Sequence, residues 1–452
     1  MLKSLDHITN RCPATEQLLI SGGDDRLAID PISGVNKYAC QPFPDPSLLA
    51  FGSSTASVIS SSGYVVAQHL RQQLLTASQS DSLVNVYQQQ LQQFKLEWLE
   101  ACDLDDFPGL NLIFSASGTD VHRLIAEQLN KDDFKTLVIM VAANETGSGV
   151  CSALSNGNKL EVKQVSLRLA DGSPRPIAVI DEQVEQWVAT AVSAKRRVLL
   201  VMVDQSKTGL IAPSPQCVIA LKLNYSEQID VLVDACQFRL HNTTLKAYLQ
   251  QGFMVALTGS KFLTAPSFSA VLLLPENISS AVLESALAEP NLGLLLRIAV
   301  ALEELRRFRL MPHIKIISMM QAFTRAIIKQ LNNDPNFELL ASPALNREGL
   351  LATQSWDHLQ TIFPFVLYHH RPSGRTPLSL AETLTVYQQK QTGVRWQLGQ
   401  PVACGARQGI AVSALRLCIS SRLLVEAETV DSLINDALIT LQLVKQTLQK
   451  LG

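Results

Sequence analysis

The chain has 452 residues, more than one hydrophobic core normally holds, and 47% apolar against 17% charged residues supply a large buried interior. A formal net charge of −2 argues against nucleic acid or an anionic membrane as partner, because neither polyanion would meet a basic surface. The eight cysteines are scattered without a CxxC pair, which reads as free thiols of a reducing cytoplasm and not as a disulfide framework or a zinc site. No signal-peptide stretch opens the sequence. The best apolar runs, LVIMVAA and VLLVMV, are strand-length, and LGLLLRIAVAL is broken by Arg297. The expectation is a soluble, cytoplasmic protein.

Residues 1–50 are irregular and rich in turn formers (SGGDD, DPISG, QPFPDPS) and read as an arm packing on another domain or subunit. From FGSSTAS (51–57) a helical stretch follows, and Tyr87, Leu91, Phe94 and Trp98 then recur at helical spacing, with a glutamine cluster on the wet face. Between 110 and 270 the pattern alternates. β-rich runs at 110–116, 137–143, 198–203, 218–223, 230–234, 253–258 and 269–274 are joined by helical segments such as DVHRLIAEQL and DEQVEQWVATAVSA. Apolar strands separated by helices are what a parallel sheet covered on both faces requires. A long helical region at about 293–331 comes next, then strand-like FPFVLYHH and ALRLCIS among helices, and a closing amphipathic helix, VDSLINDALITLQLVKQTLQKL. The expected architecture is α/β. A large domain at 51–292, with a mostly parallel mixed sheet flanked by helices, is followed at 293–452 by a long linking helix and a smaller α/β domain.

VALTGSKFLTAPSF (255–268) isolates Lys261 among small, hydroxylated and apolar residues; the nearest charged residues in the chain are Lys246 and Glu276. An amine that desolvation frees of its proton can form a Schiff base with an aldehyde. The aldehyde cofactor pyridoxal phosphate also needs a carboxylate beside its ring nitrogen, which keeps the pyridine protonated and electron-poor. Asp234, ending the apolar strand IDVLVD, supplies such a group. The third requirement is a phosphate cradle. LNLIFSASGTDVHRLIAEQL places Ser117, Gly118 and Thr119 between a strand and a helix start, where free backbone amides and a hydroxyl suit an anion; an ordinary N-cap turn reads the same way.

VDACQ followed by TGSKFLTAPSFSAVLLL resembles the Asp-then-Lys segment of fold-type I pyridoxal-phosphate enzymes, and within them the class V aminotransferase and cysteine desulfurase group. SGTD is similar to their phosphate turn, DQSKTGLIAP to their N-E-T-G loop, and ALRLCISSRLLVEAETVDSLINDAL to their carboxyl-terminal arginine strand and following helix. The resemblance spans roughly 110–450, and its weight lies in the order of the motifs. It implies that Lys261 forms the Schiff base, that Asp234 pairs with the pyridine nitrogen, and that Ser117, Gly118, Thr119 and Ser260 hold the phosphate. It further implies that Gln237 reaches the cofactor edge, that Arg416 grips the carboxylate of an amino-acid substrate, and that the protein is a homodimer with its site at the subunit interface.

The sequence departs from the family pattern twice. The loop that carries an asparagine in desulfurases reads Gln205-Ser206-Lys207-Thr208, and the place of their ring-covering histidine reads Glu145-Thr146. Rivals also exist for three roles: Lys207 for the amine, Asp204 for the ring partner and Arg422 for the carboxylate grip. Cys404, shortly before Arg416, occupies the place of a desulfurase thiol, and His369 and His370 read as loop histidines. Transamination of an amino acid is the implied reaction. The alternatives are a C–S lyase or cysteine desulfurase-like enzyme, and a cofactor-binding protein that has lost catalysis.

Overall fold

The computed structural model describes residues 13–52, 57–131, 134–155, 157, 159–276, 289–353, 355–372, 374–389 and 395–451. The FGSSTAS stretch thus lies partly outside the described residues. In chain order the strands are β1 (Leu48–Phe51), β2 (Asn111–Ser115), β3 (Thr136–Val141), β4 (Leu160–Val165), β5 (Arg197–Asp204), β6 (Ile211–Ala212) and β7 (Ile229–Asp234). They continue with β8 (Met254–Thr258), β9 (Ala270–Leu274), β10 (Phe337–Leu339), β11 (Ile362–Arg371), β12 (Gly374–Pro377), β13 (Arg395–Arg407) and β14 (Ile410–Cys418). The larger sheet runs β2-β9-β8-β7-β5-β3-β4, with β6 paired to β5. Its pairs from β8 through β7, β5 and β3 to β4 are parallel, and β9 is antiparallel to both β2 and β8. This is the mostly parallel mixed sheet expected.

Helices cover both faces of that sheet, and the period of a strand explains how. In β3, Leu137, Ile139 and Val141 join one apolar cluster while Val138 and Met140 join another. The first cluster includes Ile180, Val184 and Val188 of helix Ile177–Ser193; the second includes Val121, Ile125 and Leu129 of helix Gly118–Lys131. The smaller sheet runs β1-β13-β14-β11-β10, with β12 on β11. Its first strand comes from the end of the arm and pairs in parallel with β13.

Four local readings need correction. The run at 218–223 is not a strand but part of helix Pro215–Asn224. Ser214 accepts a hydrogen bond from the Cys217 amide at 3.1 Å, and Pro215 sits in the first turn, where its missing amide costs nothing. The helical region at 293–331 is two helices, Leu292–Arg309 and His313–Asn333, separated at Pro312. His369 and His370 lie in β11, not in a loop. Finally β4 was missed, because LEVKQV is an edge strand with polar and half-buried positions that leave no apolar run to read.

Arg297, the residue that breaks the apolar run, is fully buried. It donates to the carbonyls of Leu19 (3.0 Å), Ser21 (2.6 Å) and Gly22 (3.2 Å) in the arm and of Phe268 (3.0 Å) beyond Lys261. Burial pushes its guanidinium down to about 9. Arg297→Met should lower the unfolding free energy by about 3 kcal/mol, read from urea midpoints, because it strands several buried carbonyls. Among the described residues no helix is long and apolar enough to cross a membrane.

Candidate active site

The carboxyl ends of β3, β5, β7 and β8 and the turn after β2 meet around a cavity of about 290 Å³. Open parallel sheets bind ligands at this edge because the strand ends leave free backbone groups and room between loops. Lys261, Asp234, Ser117, Gly118, Thr119, Gln237, Ser260 and Arg416 all line it, although they are spread from 117 to 416 in the chain.

Asp234 is buried at the end of β7. The Thr146 hydroxyl donates to its Oδ2 at 2.8 Å and the Cys236 amide to its Oδ1 at 3.2 Å. His122, fully buried in the helix after the Gly118 turn, places Nε2 3.9 Å from the same Oδ2. Its Nδ1 lies 2.6 Å from the Gly118 carbonyl, an acceptor only, so Nδ1 carries a proton and Nε2 is left facing the carboxylate. Burial pushes the Asp234 pKa up. His122, Lys261 and the Thr146 and Cys236 hydrogen bonds outweigh that and hold it below the usual carboxylate value.

The turn after β2 is shaped by close approach. A Cβ on Gly118 would lie 2.8 Å from Cys236 Sγ, so a side chain there would push the turn off the β7 edge. The Ser117 hydroxyl accepts from the Asp120 amide at 3.2 Å and donates to the Asp120 carboxylate at 2.6 Å, capping helix Gly118–Lys131. The capping reading of this turn therefore holds for the Ser117 side chain, and the helix N-terminus still opens on the cavity.

Lys261 stands in the loop after β8. Phe238, Thr264 and Phe268, in the loops that follow Asp234 and Lys261, have φ of 52°, 58° and 73°, a region bulky side chains rarely adopt. A Cβ on Gly259 would lie 2.4 Å from Ala301 Cβ, so helix Leu292–Arg309 packs directly beneath the lysine loop. Arg416 comes from β14 in the smaller sheet and is buried opposite Gly399, its partner across the ladder. Its Nε and Nη2 donate to the Gln400 carbonyl at 3.2 and 3.1 Å, and no carboxylate pairs with it among the described residues.

No protein-family model matches the sequence, and no curated protein matches it. Solved structures do. The glutamate decarboxylase domain of diaminobutyrate-pyruvate transaminase and L-2,4-diaminobutyrate decarboxylase from Vibrio parahaemolyticus aligns with TM-score 0.55 and 14% identity, over 86% of this chain and 79% of that one. Oryza sativa TDC with PLP gives TM-score 0.56 and 11% identity, over 90% and 84%. A NifS-like protein gives TM-score 0.54 and 11% identity, over 87% and 99%. The fold is that of fold-type I pyridoxal-phosphate enzymes. Because decarboxylases and a NifS-like protein share it alike, the fold-type I likeness does not single out the class V group that the motifs resemble.

Within this fold-type I frame the rival residues separate by position. Asp204 ends β5 fully buried, held by Arg347 through two contacts of 2.7 Å and by the Tyr248 hydroxyl at 2.7 Å, away from the cavity lining. Arg422 bonds Glu426 at 2.8 Å and the Val58 carbonyl, and lines a different cavity. Cys404 is buried among Leu340, Val366 and Val412, and burial pushes its thiol up to about 11. The thiol on the cavity wall is Cys236, whose pKa burial and then Asp234 push well above the ordinary value. Glu145 does not face the cavity either. It is buried against Arg168 (3.1 Å), Ser206 (2.7 Å) and Thr208 (2.7 Å) and fastens the 205–210 loop to β3.

Sequence reasoning passed over His122, Arg26 and Tyr38. Arg26 and Tyr38 bring the arm to the cavity, and the Arg26 guanidinium binds Asp24 and lies 4.5 Å over the Phe268 ring. The arm carries no periodic pattern that could have announced them. His122 had one available signal, an imidazole four residues after a phosphate-turn glycine on the sheet-facing side of the helix.

Proposed function

We propose that this chain is a pyridoxal-phosphate-dependent enzyme that transaminates an amino acid through Lys261. The observation that carries the reading is the meeting of Lys261, ionised Asp234 and the Ser117–Thr119 helix start in one cavity with Arg416. The donor set fits the cofactor. A buried carboxylate suits a ring nitrogen that must stay protonated, a glycine turn at a helix start suits a phosphate, and Gln237 Oε1, without a partner among the described residues, could meet a polar edge. When bound, the cofactor supplies an electrophilic carbon and an electron sink.

The protein's own groups do the rest. Thr146, the Cys236 amide and His122 hold Asp234 ionised. With its Nε and Nη2 side on the Gln400 carbonyl, Arg416 offers the Nη1–Nη2 end of its guanidinium to the substrate's carboxylate, and the Lys261 amine is placed to move the proton at the substrate's Cα. Two arguments favour transamination over the other chemistries of this fold. Arg416 lines the cavity, and a guanidinium that grips the carboxylate would stabilise it against loss as carbon dioxide. A desulfurase nucleophile needs a thiolate, whereas Cys404 is outside the cavity and Cys236 is held as a thiol.

Borohydride reduction followed by peptide mapping tests the reading. The expected result is a coloured protein that bleaches and carries a pyridoxyl group on Lys261. An adduct on Lys207 would overturn the site map, and a colourless protein that takes up no cofactor would overturn the function. An adduct on Lys261 without turnover of any amino acid would turn the reading to a cofactor-binding protein that has lost catalysis.

A further inference from the structure

We infer that Lys207 is a second anion-binding group of this cavity, and that the substrate is an amino acid bearing an acidic group besides its α-carboxylate. The inference rests on the reading of Lys261 and Asp234 above and deepens it. The cavity wall carries four cations, Arg26, Lys207, Lys261 and Arg416, against one carboxylate, Asp234. Arg26 is held by Asp24, Lys261 and Asp234 serve the cofactor, and Arg416 serves the α-carboxylate. Lys207 is left over. Its Nζ donates to the Ala143 carbonyl at 3.2 Å, and no carboxylate pairs with it among the described residues. Glu145, an acid in the loops around it, is already taken by Arg168, Ser206 and Thr208.

Position puts Lys207 across Asp234 from the Lys261 strand. It follows β5, which neighbours β7 on the side away from β8, so Asp234 stands between it and the strand that leads to Lys261. Its carbonyl is 3.5 Å from Arg416 Nη1, which brings the two cations to one stretch of wall. The loop is also rigidly presented. The Lys207 amide donates to the Glu145 carbonyl at 2.8 Å, and the Leu210 amide to Ser206 Oγ at 3.1 Å. A fork for one carboxylate beside a point charge for another oxyanion is how a site reads a substrate with two negative groups. Burial, then Arg416 and Lys261, push the Lys207 ammonium down to about 8. An incoming anion would offset that cost.

The test uses the holoprotein and two kinds of probe. Calorimetry compares succinate and glutarate with butyrate, and absorbance titration compares L-aspartate and L-glutamate with L-alanine and L-norvaline. The dianionic probes should bind at least about tenfold tighter, the value of one charge-assisted contact. Lys207→Met should abolish that preference while leaving butyrate affinity within about twofold, which also shows that the variant folds. Lys207→Arg should retain it. The charged groups facing Lys207 are Arg416 on β14, Lys261 after β8, Asp234 on β7 and Glu145 after β3. Because a lysine loses its charge above its pKa, the wild-type preference should fade as pH rises through about 8 and return below it.

Absence of a preference, or one that survives in Lys207→Met, overturns the inference while a Lys261 adduct leaves the function standing. A Lys207→Met protein whose cofactor spectrum shifts but whose preference persists would place the amine on the cofactor, and also overturns it. A protein without cofactor fails at the earlier reading instead.

Discussion

Lys261→Ala should abolish turnover, with kcat/KM falling by at least about 10³-fold, and should leave a protein that holds the cofactor weakly and gives no borohydride adduct. The size of the effect follows from the two duties of one amine. In the proposed function it would hold the cofactor, and it would then move the proton at the substrate's Cα. The fold should survive, because Lys261 is only partly buried and lies in a cavity, not in the core. A melting curve close to wild type separates loss of chemistry from loss of structure. Partial recovery with a small primary amine such as methylamine would show that the missing group is the base. A Lys261→Ala protein that stays coloured and active would sink the site map and return attention to Lys207.

For Asp234→Asn, kcat/KM should fall by about 10²-fold or more, which is about 2.7 kcal/mol of transition-state stabilisation. The amide keeps the shape, and its one oxygen can still accept from the Cys236 amide while its NH2 turns to the Thr146 hydroxyl as a donor, but it carries no charge. His122 would then face a neutral group, and a bound pyridine would lose the anion that keeps its nitrogen protonated. The same substitution should change the acid limb of stability. The Asp234 pKa is lower in the folded protein than in the unfolded chain, so its ionisation stabilises the fold above the ordinary carboxylate value. That contribution disappears as pH falls through the folded value. Urea midpoints between pH 7 and pH 3 should therefore fall less steeply in Asp234→Asn than in the wild type. Parallel curves would show that Asp234 is not held as an anion.

Much of the candidate site was legible because its parts are local. Asp234 closes an apolar strand, Lys261 stands alone between two such strands, and Ser117-Gly118-Thr119 bridges strand and helix, so each could be read from a short window. Arg416 could be told from Arg422 only in space. They stand six positions apart, yet one faces the cavity from β14 and the other points along helix Ser421–Glu426 toward Glu426. The helix at 215–224 misled for the opposite reason. Its apolar run suits a strand, and the cap at Ser214 with Pro215 settles it as a helix.

The sequence by itself determined the alternation of apolar strands and helices, hence the α/β class, and the residue types that a Schiff-base site requires. These follow from short-range periodicity and turn chemistry, which the chain writes in adjacent residues. Only the tertiary structure decided that His122 and Thr146 hold Asp234, that Glu145 is withdrawn to Arg168, and that Arg26, Lys207 and Arg416 reach one cavity. Those pairings join groups up to several hundred residues apart. They arise from the order of strands in the sheet and the packing of its loops, neither of which has a local period to read.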